Sequence, residues 1–356
     1  MPREYESWID WLKAIGLTLI VVGHVADTAV ASLLPPIYPK QLGVAFFLYA
    51  AGYGLARERR APARVVAGRL FDIYLFGLAI ALLLSAIGYV QDGNLRESNY
   101  LPFLAGVNIG LDAFPANPTT WFIGMYVHLL VLWAVVLRRV EITGRVFAGL
   151  LAVELVTRAA LVGTGAVFLA YMNVANWIAV FALGMRHGQG RGRAWAPVPS
   201  FALLVAFAVA WTLFVVPLPR AASFPLMRFA LSGGGDALAT SAAVSALYCL
   251  ITFAAAGIVR ALPSAAPARF VARHTVIVFI GHMPVYFALV PVIAGVTSGY
   301  WLRVALHLAA CYGGLLLMSW MVFKVVPRDR LRDDILRTVS PDVGNRVAAT
   351  EVAALP

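Results

Sequence analysis

The sequence predicts an all-α fold, a polytopic transmembrane helical bundle of about ten helices with N- and C-termini cytoplasmic. Three observations predict it. The chain is 61% hydrophobic and 13% charged with a mean hydropathy of +0.82, too apolar for a surface that faces water throughout. Its apolar runs mostly approach the ~20 helical residues needed to cross a ~30 Å hydrocarbon core. Its Lys and Arg residues sort to alternate connections between those runs, as cytoplasmic loops require.

In order, the runs fall at 11–33, 41–56, 70–90, 119–137, 146–163, 166–185, 200–218, 237–259, 274–296 and 301–326. The second is the shortest. With the N-terminus inside, the outer segments hold only Lys40, Arg96, Arg220, Arg228 and Arg303, and Arg158 lies within a run. Every other one of the 28 Lys and Arg residues then lies at the inner side. Residues 1–327 form the transmembrane domain, and 328–356 a cytoplasmic tail, partly disordered, with one short surface helix in RDRLRDDILR.

The net charge of +11 does not point to nucleic acid, because the basic residues are spread over all the inner loops as orientation signals. Cys249 and Cys311 both fall inside apolar runs, where thiols pack as small hydrophobes, so no disulfide framework and no metal site is expected. Glu4, Glu6 and Asp10 spoil the basic start of a secretory signal peptide. The longest outer loop, 91–118, carries three prolines and three acidic residues and could cover a mouth on that side; SGGGD at 232–236 is either a flexible loop or a cradle of backbone amides for an anion.

Charge placement singles out the first run. Ionisable groups in hydrocarbon cost several kcal/mol, roughly 3 on insertion scales, so they mark candidate sites. WIDWLKAIGLTLIVVGHVADTAV carries Lys13, His24 and Asp27. Eleven residues at ~100° each return His24 to within about 20° of the face of Lys13, ~16 Å further along the axis. Asp27, three residues on, neighbours His24 on the helix surface. A base at depth, a carboxylate to orient it and a cation at the mouth make a reaction path; a bonded core histidine with a snorkelling lysine makes structure.

Other polar groups in the runs are substrate-binding or structural candidates. Glu154 and Arg158, four apart, either neutralise each other or contact a substrate. His282 precedes Met283 and Pro284 and reads as a structural histidine beside a proline kink. His128 lies seven residues after Trp121, on nearly the same face, and reads as core.

The segment WIDWLKAIGLTLIVVGH resembles the first-helix motif of the acyltransferase 3 family, integral membrane enzymes that move acyl groups onto sugars and other acceptors. GVAFFLYAAGY at 43–53, the Arg-rich loop after it, TTWFIGMYVHLL at 119–130 and RHTVIVFIGHMP at 273–284 resemble later landmarks of that family in the same order. Lys13 stands where many members carry arginine, a version that resembles the fucose and exopolysaccharide O-acetylase branch; its point charge cannot make a guanidinium's bidentate contact. Ala51 replaces the serine expected before Gly52.

The resemblance implies a membrane-embedded O-acetyltransferase of the bacterial inner membrane that modifies a polysaccharide. It implies no permanently bound cofactor, acetyl-CoA as donor from the cytoplasmic side, and a glycan or other hydroxyl acceptor. His24 would be the general base and Asp27 its orienter, with Lys13, Arg57, Arg59, Arg60 and Arg69 holding the donor phosphates. Those arginines otherwise serve topology and anionic lipid contact. A glycan or lipid-linked substrate transporter or flippase, which also carries midplane polar groups, is the alternative. The loop charges set a test of the topology: reporter fusions after Arg60, Arg139, Arg193, Arg269 and the C-terminus report the cytoplasm, and fusions after Asn94 and Gly234 the opposite side. An external C-terminus would mean a miscounted helix.

Overall fold

The structure, a computed structural model, describes residues 6–25, 39–92, 106–107, 109, 120–191, 196–214 and 237–339. Asp27, the 232–236 stretch and most of the 91–118 loop lie outside the described residues. Among those described the chain is helical throughout, with no strand. The elements are α1 (Ser7–Val25), α2 (Pro39–Ala56), α3 (Pro62–Asp92), α4 (Thr120–Val135), α5 (Gly144–Gly163), α6 (Val167–Met172), α7 (Ile178–Gly188), α8 (Pro197–Phe214), α9 (Ala237–Val259), α10 (Ala266–Val296), α11 (Tyr300–Leu308), α12 (Leu315–Val325) and α13 (Arg328–Val339).

A helix overlaps each expected apolar run. Five stretches among the described residues are long and apolar enough to cross a membrane: α1, α5, α9, α10, and α11 with α12. The sixth run departs from a single helix. It breaks at Asn173, whose side-chain oxygen accepts from the Ala175 amide at 2.8 Å and caps a 3₁₀ turn, Val174–Trp177, before α7 begins. The tenth run is interrupted by a π turn, Ala309–Gly314, which buries Cys311; beside it the Tyr312 hydroxyl lies 2.9 Å from the Thr18 hydroxyl of α1. RDRLRDDILR forms most of α13, which lays Leu336 against Gly68 of α3.

Hydrocarbon gives helices little hydrophobic drive to associate, so close approach through small residues matters more than in water. α1 packs against both α2 and α10. Gly16 and Gly43 face each other across α1 and α2, so close that a Cβ on Gly43 would stand 2.3 Å from the Gly16 carbonyl oxygen. On its other side α2 meets α7 by the same device. A Cβ on Gly184 would stand 2.2 Å from the Tyr49 oxygen, and one on Gly188 2.4 Å from the Tyr53 oxygen.

The arginine-bearing connections meet at one end of the bundle. Arg57 pairs with Glu6, which also accepts from Tyr53 at 2.6 Å. Arg260 stacks over Trp8, whose neighbour Trp11 donates to the Pro263 carbonyl at 2.9 Å. Gln189 and Arg186 bind the backbone of the 140–142 connection. Both ends of the described chain therefore belong to this face, with α13 tied to α3 through Arg328 and Asp72.

The glycine seam gives a stability prediction. Gly184→Ala forces backbone apart and lowers the thermal unfolding midpoint of the solubilised protein, at a cost of about 1–3 kcal/mol. Gly149→Ala, where a Cβ meets nothing within 4 Å, leaves the midpoint unchanged or raises it. Equal behaviour of the two variants would contradict the close-packed seam.

Candidate active site

His24 occupies the last turn of α1 and is brought to His282 of α10. The His282 Nε2 and His24 Nδ1 atoms lie 3.0 Å apart, with ring centroids 5.0 Å apart. His282 is fully buried and His24 partly so. The other face of His282 is fixed by its own helix, where Nδ1 meets the Phe279 carbonyl at 2.7 Å and the Val278 carbonyl at 3.2 Å. The long apolar run of α10 keeps this contact inside the bundle.

At the basic end of α1, Lys13 lines a cavity of about 320 Å³ between α1, α2, α3, α4 and α10. Arg69, Asp72, Arg273 and Arg328 line it too. Asp72 is the one carboxylate among these lining residues, and Arg328 takes it in a two-pronged pair, with Nε 2.6 Å from Oδ1 and Nη2 on Oδ2. Those hydrogen bonds push the Arg328 pKa further up, so its charge is fixed. Lys13, Arg69 and Arg273 leave the cavity net positive. Such a mouth suits an anion, above all a phosphate-bearing one.

An aromatic cluster links the cavity wall to the histidines. Phe47, Phe122 and Phe279 line it and pack on one another, with centroids 5.0 Å apart for Phe122 and Phe279 and 6.2 Å for Phe47 and Phe279. Phe279 joins both regions, since its ring centroid is 6.1 Å from that of His282 and its carbonyl holds the His282 ring. Phe279 thus borders the cavity on one side and the imidazole pair on the other, and neither histidine lines the cavity itself.

Of the residues expected at the site, Lys13 and Arg69 share the cavity, and His24 stands ~16 Å along α1 from Lys13. Arg57 lies elsewhere, against Glu6 and Tyr53. Arg59 and Arg60 line a separate surface recess in which Glu58 accepts from both backbone amides and from the Arg60 guanidinium. His128, on α4, is partly buried and is absent from the cavity lining.

Glu154 and Arg158 are also remote from the cavity lining. Both are buried, and their salt bridge is 2.7 Å. Glu154 accepts from Ser245 Oγ at 2.5 Å and from the Ala179 amide at 2.7 Å. Arg158 donates to Ser245 Oγ, the Ser241 carbonyl and the Asn176 carbonyl. The pair spends its hydrogen-bonding capacity tying α5 to α7, α9 and the 3₁₀ turn.

Sequence reasoning missed the place of Arg273 and Arg328. In the sequence both flank apolar runs, where a topology role accounts for an arginine equally well, although Arg273 lies two turns inside α10 and only Arg328 begins a helix. Nothing in the local pattern shows that α10 and α13 converge on Lys13. The pairing of His24 with His282, 258 residues apart, is likewise a product of packing.

A multi-pass helical membrane protein with an imidazole pair inside the bundle and a cationic cavity at one end defines a class able to do group-transfer chemistry on an anionic donor. The chain belongs to the acyltransferase 3 family, whose acyltransferase-domain model matches residues 6–326. No curated protein and no solved structure matches the chain in the corresponding comparisons.

The buried pair carries a prediction. Arg158→Leu leaves Glu154 charged and unpaired in the interior and costs roughly 3–5 kcal/mol, read as a fall in unfolding midpoint and folded yield. The double variant Glu154→Leu with Arg158→Leu recovers part of that loss. No recovery would contradict a mutual neutralisation role.

Proposed function

We propose that this acyltransferase moves an acetyl group from acetyl-CoA to a hydroxyl of a glycan or related acceptor at the bacterial inner membrane. In this reading the bundle crosses the membrane about ten times, with its basic end and both termini in the cytoplasm. The observation that carries the proposal is a cationic cavity with an aromatic floor whose Phe279 also touches a histidine pair, in a chain of this family. Lys13, Arg69, Arg273 and Arg328 hold the nucleotide phosphates. The pantetheine arm runs over Phe279 and brings the thioester toward His24.

His24 then acts as general base. Its free ring nitrogen takes the acceptor O–H proton as that oxygen attacks the thioester carbonyl. The C–S bond breaks, the ester forms, and the departing CoA thiolate recovers the proton from the imidazolium. The same nitrogen could instead attack the thioester first, giving an acetyl-His24 intermediate that the acceptor hydroxyl resolves. In this reading Asp27 orients or stabilises this imidazole. Arg57, Arg59 and Arg60 contribute to orientation in the membrane and to anionic lipid contact.

The test is transfer from labelled acetyl-CoA by the purified protein in lipid nanodiscs, with the host glycan fraction as acceptor. His24→Ala lowers the rate by about 10²- to 10⁴-fold, the usual worth of a general base, while donor binding persists. The pair Arg69→Gln and Arg273→Gln raises the acetyl-CoA KM more than it lowers kcat, because remote contacts act alike in ground and transition states. Near-normal turnover in a folded His24→Ala protein would overturn the mechanism. Glycan movement across vesicles without acetyl transfer would favour the transporter reading.

A further inference from the structure

The histidine pair holds more information than proximity, because its hydrogen bonds decide where the protons are. A backbone carbonyl only accepts, so the nitrogen that faces one must donate. His282 Nδ1 faces two carbonyls, those of Phe279 and Val278. In the neutral ring its Nε2 is then a bare lone pair. The only described group on that lone pair is His24 Nδ1, at 3.0 Å. Two lone pairs cannot bond each other, so His24 Nδ1 must carry the proton and donate. His24 Nε2 is left unprotonated.

We propose that His282 is a positioning residue that holds neutral His24 in its Nδ1–H form and reserves Nε2 as the base or nucleophile. The assignment rests on the acyltransferase reading for its purpose, but not for its geometry. His24 Nδ1 is therefore committed to His282 and Nε2 is not.

The consequence for the reaction is specific. When Nε2 takes the acceptor proton, both nitrogens of His24 are protonated, and the positive charge is shared through Nδ1–H with the His282 lone pair. His282 cannot pass that proton onward, because its own Nδ1–H ends on backbone carbonyls. The proton stays at His24 until the leaving thiolate collects it. The pair is thus a base with a fixed second nitrogen rather than a relay, and an orienting acceptor is supplied from α10 in addition to whatever Asp27 contributes.

The deciding experiment is solid-state ¹⁵N NMR of histidine-labelled full-length protein in lipid bilayers at alkaline pH, with His24 assigned through the His24→Gln spectrum. The expected result is a pyridine-type Nε2 on His24 and a through-hydrogen-bond coupling between His24 Nδ1 and His282 Nε2. A protonated His24 Nε2, or no coupling between the rings, overturns the proposal. In the labelled acetyl-CoA assay His282→Ala lowers kcat about 10- to 100-fold, the range for groups that orient a functional imidazole in metal sites, with KM for the donor unchanged. His282→Gln, whose amide oxygen can accept from His24, recovers part of kcat. An unchanged kcat in folded His282→Ala overturns the positioning role. Should the wild-type protein transfer no acetyl group at all, the functional reading fails, and the NMR result still decides the proton placement.

Discussion

A ring nitrogen buried in a membrane bundle has few places to put its hydrogen bonds, and the site of this protein is organised around that constraint. His24 finds its partner in His282, and His282 finds its own in the backbone of α10. This chain of contacts exists only if α1 and α10 lie close. The Gly16 and Gly43 contact seats α1 against α2, and the glycines of α7 seat α2 in turn. Small residues with no chemistry of their own therefore place the residues that have it.

The basic end of the bundle shows how one residue type serves two purposes. Arginines at helix ends orient a membrane protein wherever they point. Arg57, Arg60 and Arg191 are held by nearby carboxylates at the surface, whereas Arg69 and Arg273 turn into the same cavity as Lys13. Arg328 reaches that cavity from beyond the last apolar run and is anchored there by Asp72. The tail helix is thereby coupled to the cavity wall. Three guanidiniums share the cavity lining with Lys13, and that of Arg328 is engaged by Asp72.

The helical class and the interest of α1 were legible in the sequence because both are written in one-dimensional patterns. Apolar run length gave the helices, and the rarity of charge within them exposed Lys13 and His24. The Asn173 break and the π turn at 309–314 were not legible, since each depends on local capping or on contact with α1 rather than on hydropathy. His282 was read as structural because a histidine before a proline has a sufficient local explanation. Only packing reveals that its second nitrogen faces His24. The loop arginines illustrate the same gap, for spacing cannot tell a cavity cation from a surface one.

The proposed reaction requires the cavity beside Lys13 and the nitrogen of His24 to be the two ends of one donor site. The most direct measurement is a cryo-electron-microscopy structure of the protein in nanodiscs with a thioether analogue of acetyl-CoA. A single donor site puts the pyrophosphate among Lys13, Arg69, Arg273 and Arg328, the arm along Phe279, and the thioether end within reach of His24 Nε2. An analogue bound in the recess beside Arg59 and Arg60, or with its reactive end directed away from α1, would contradict that site.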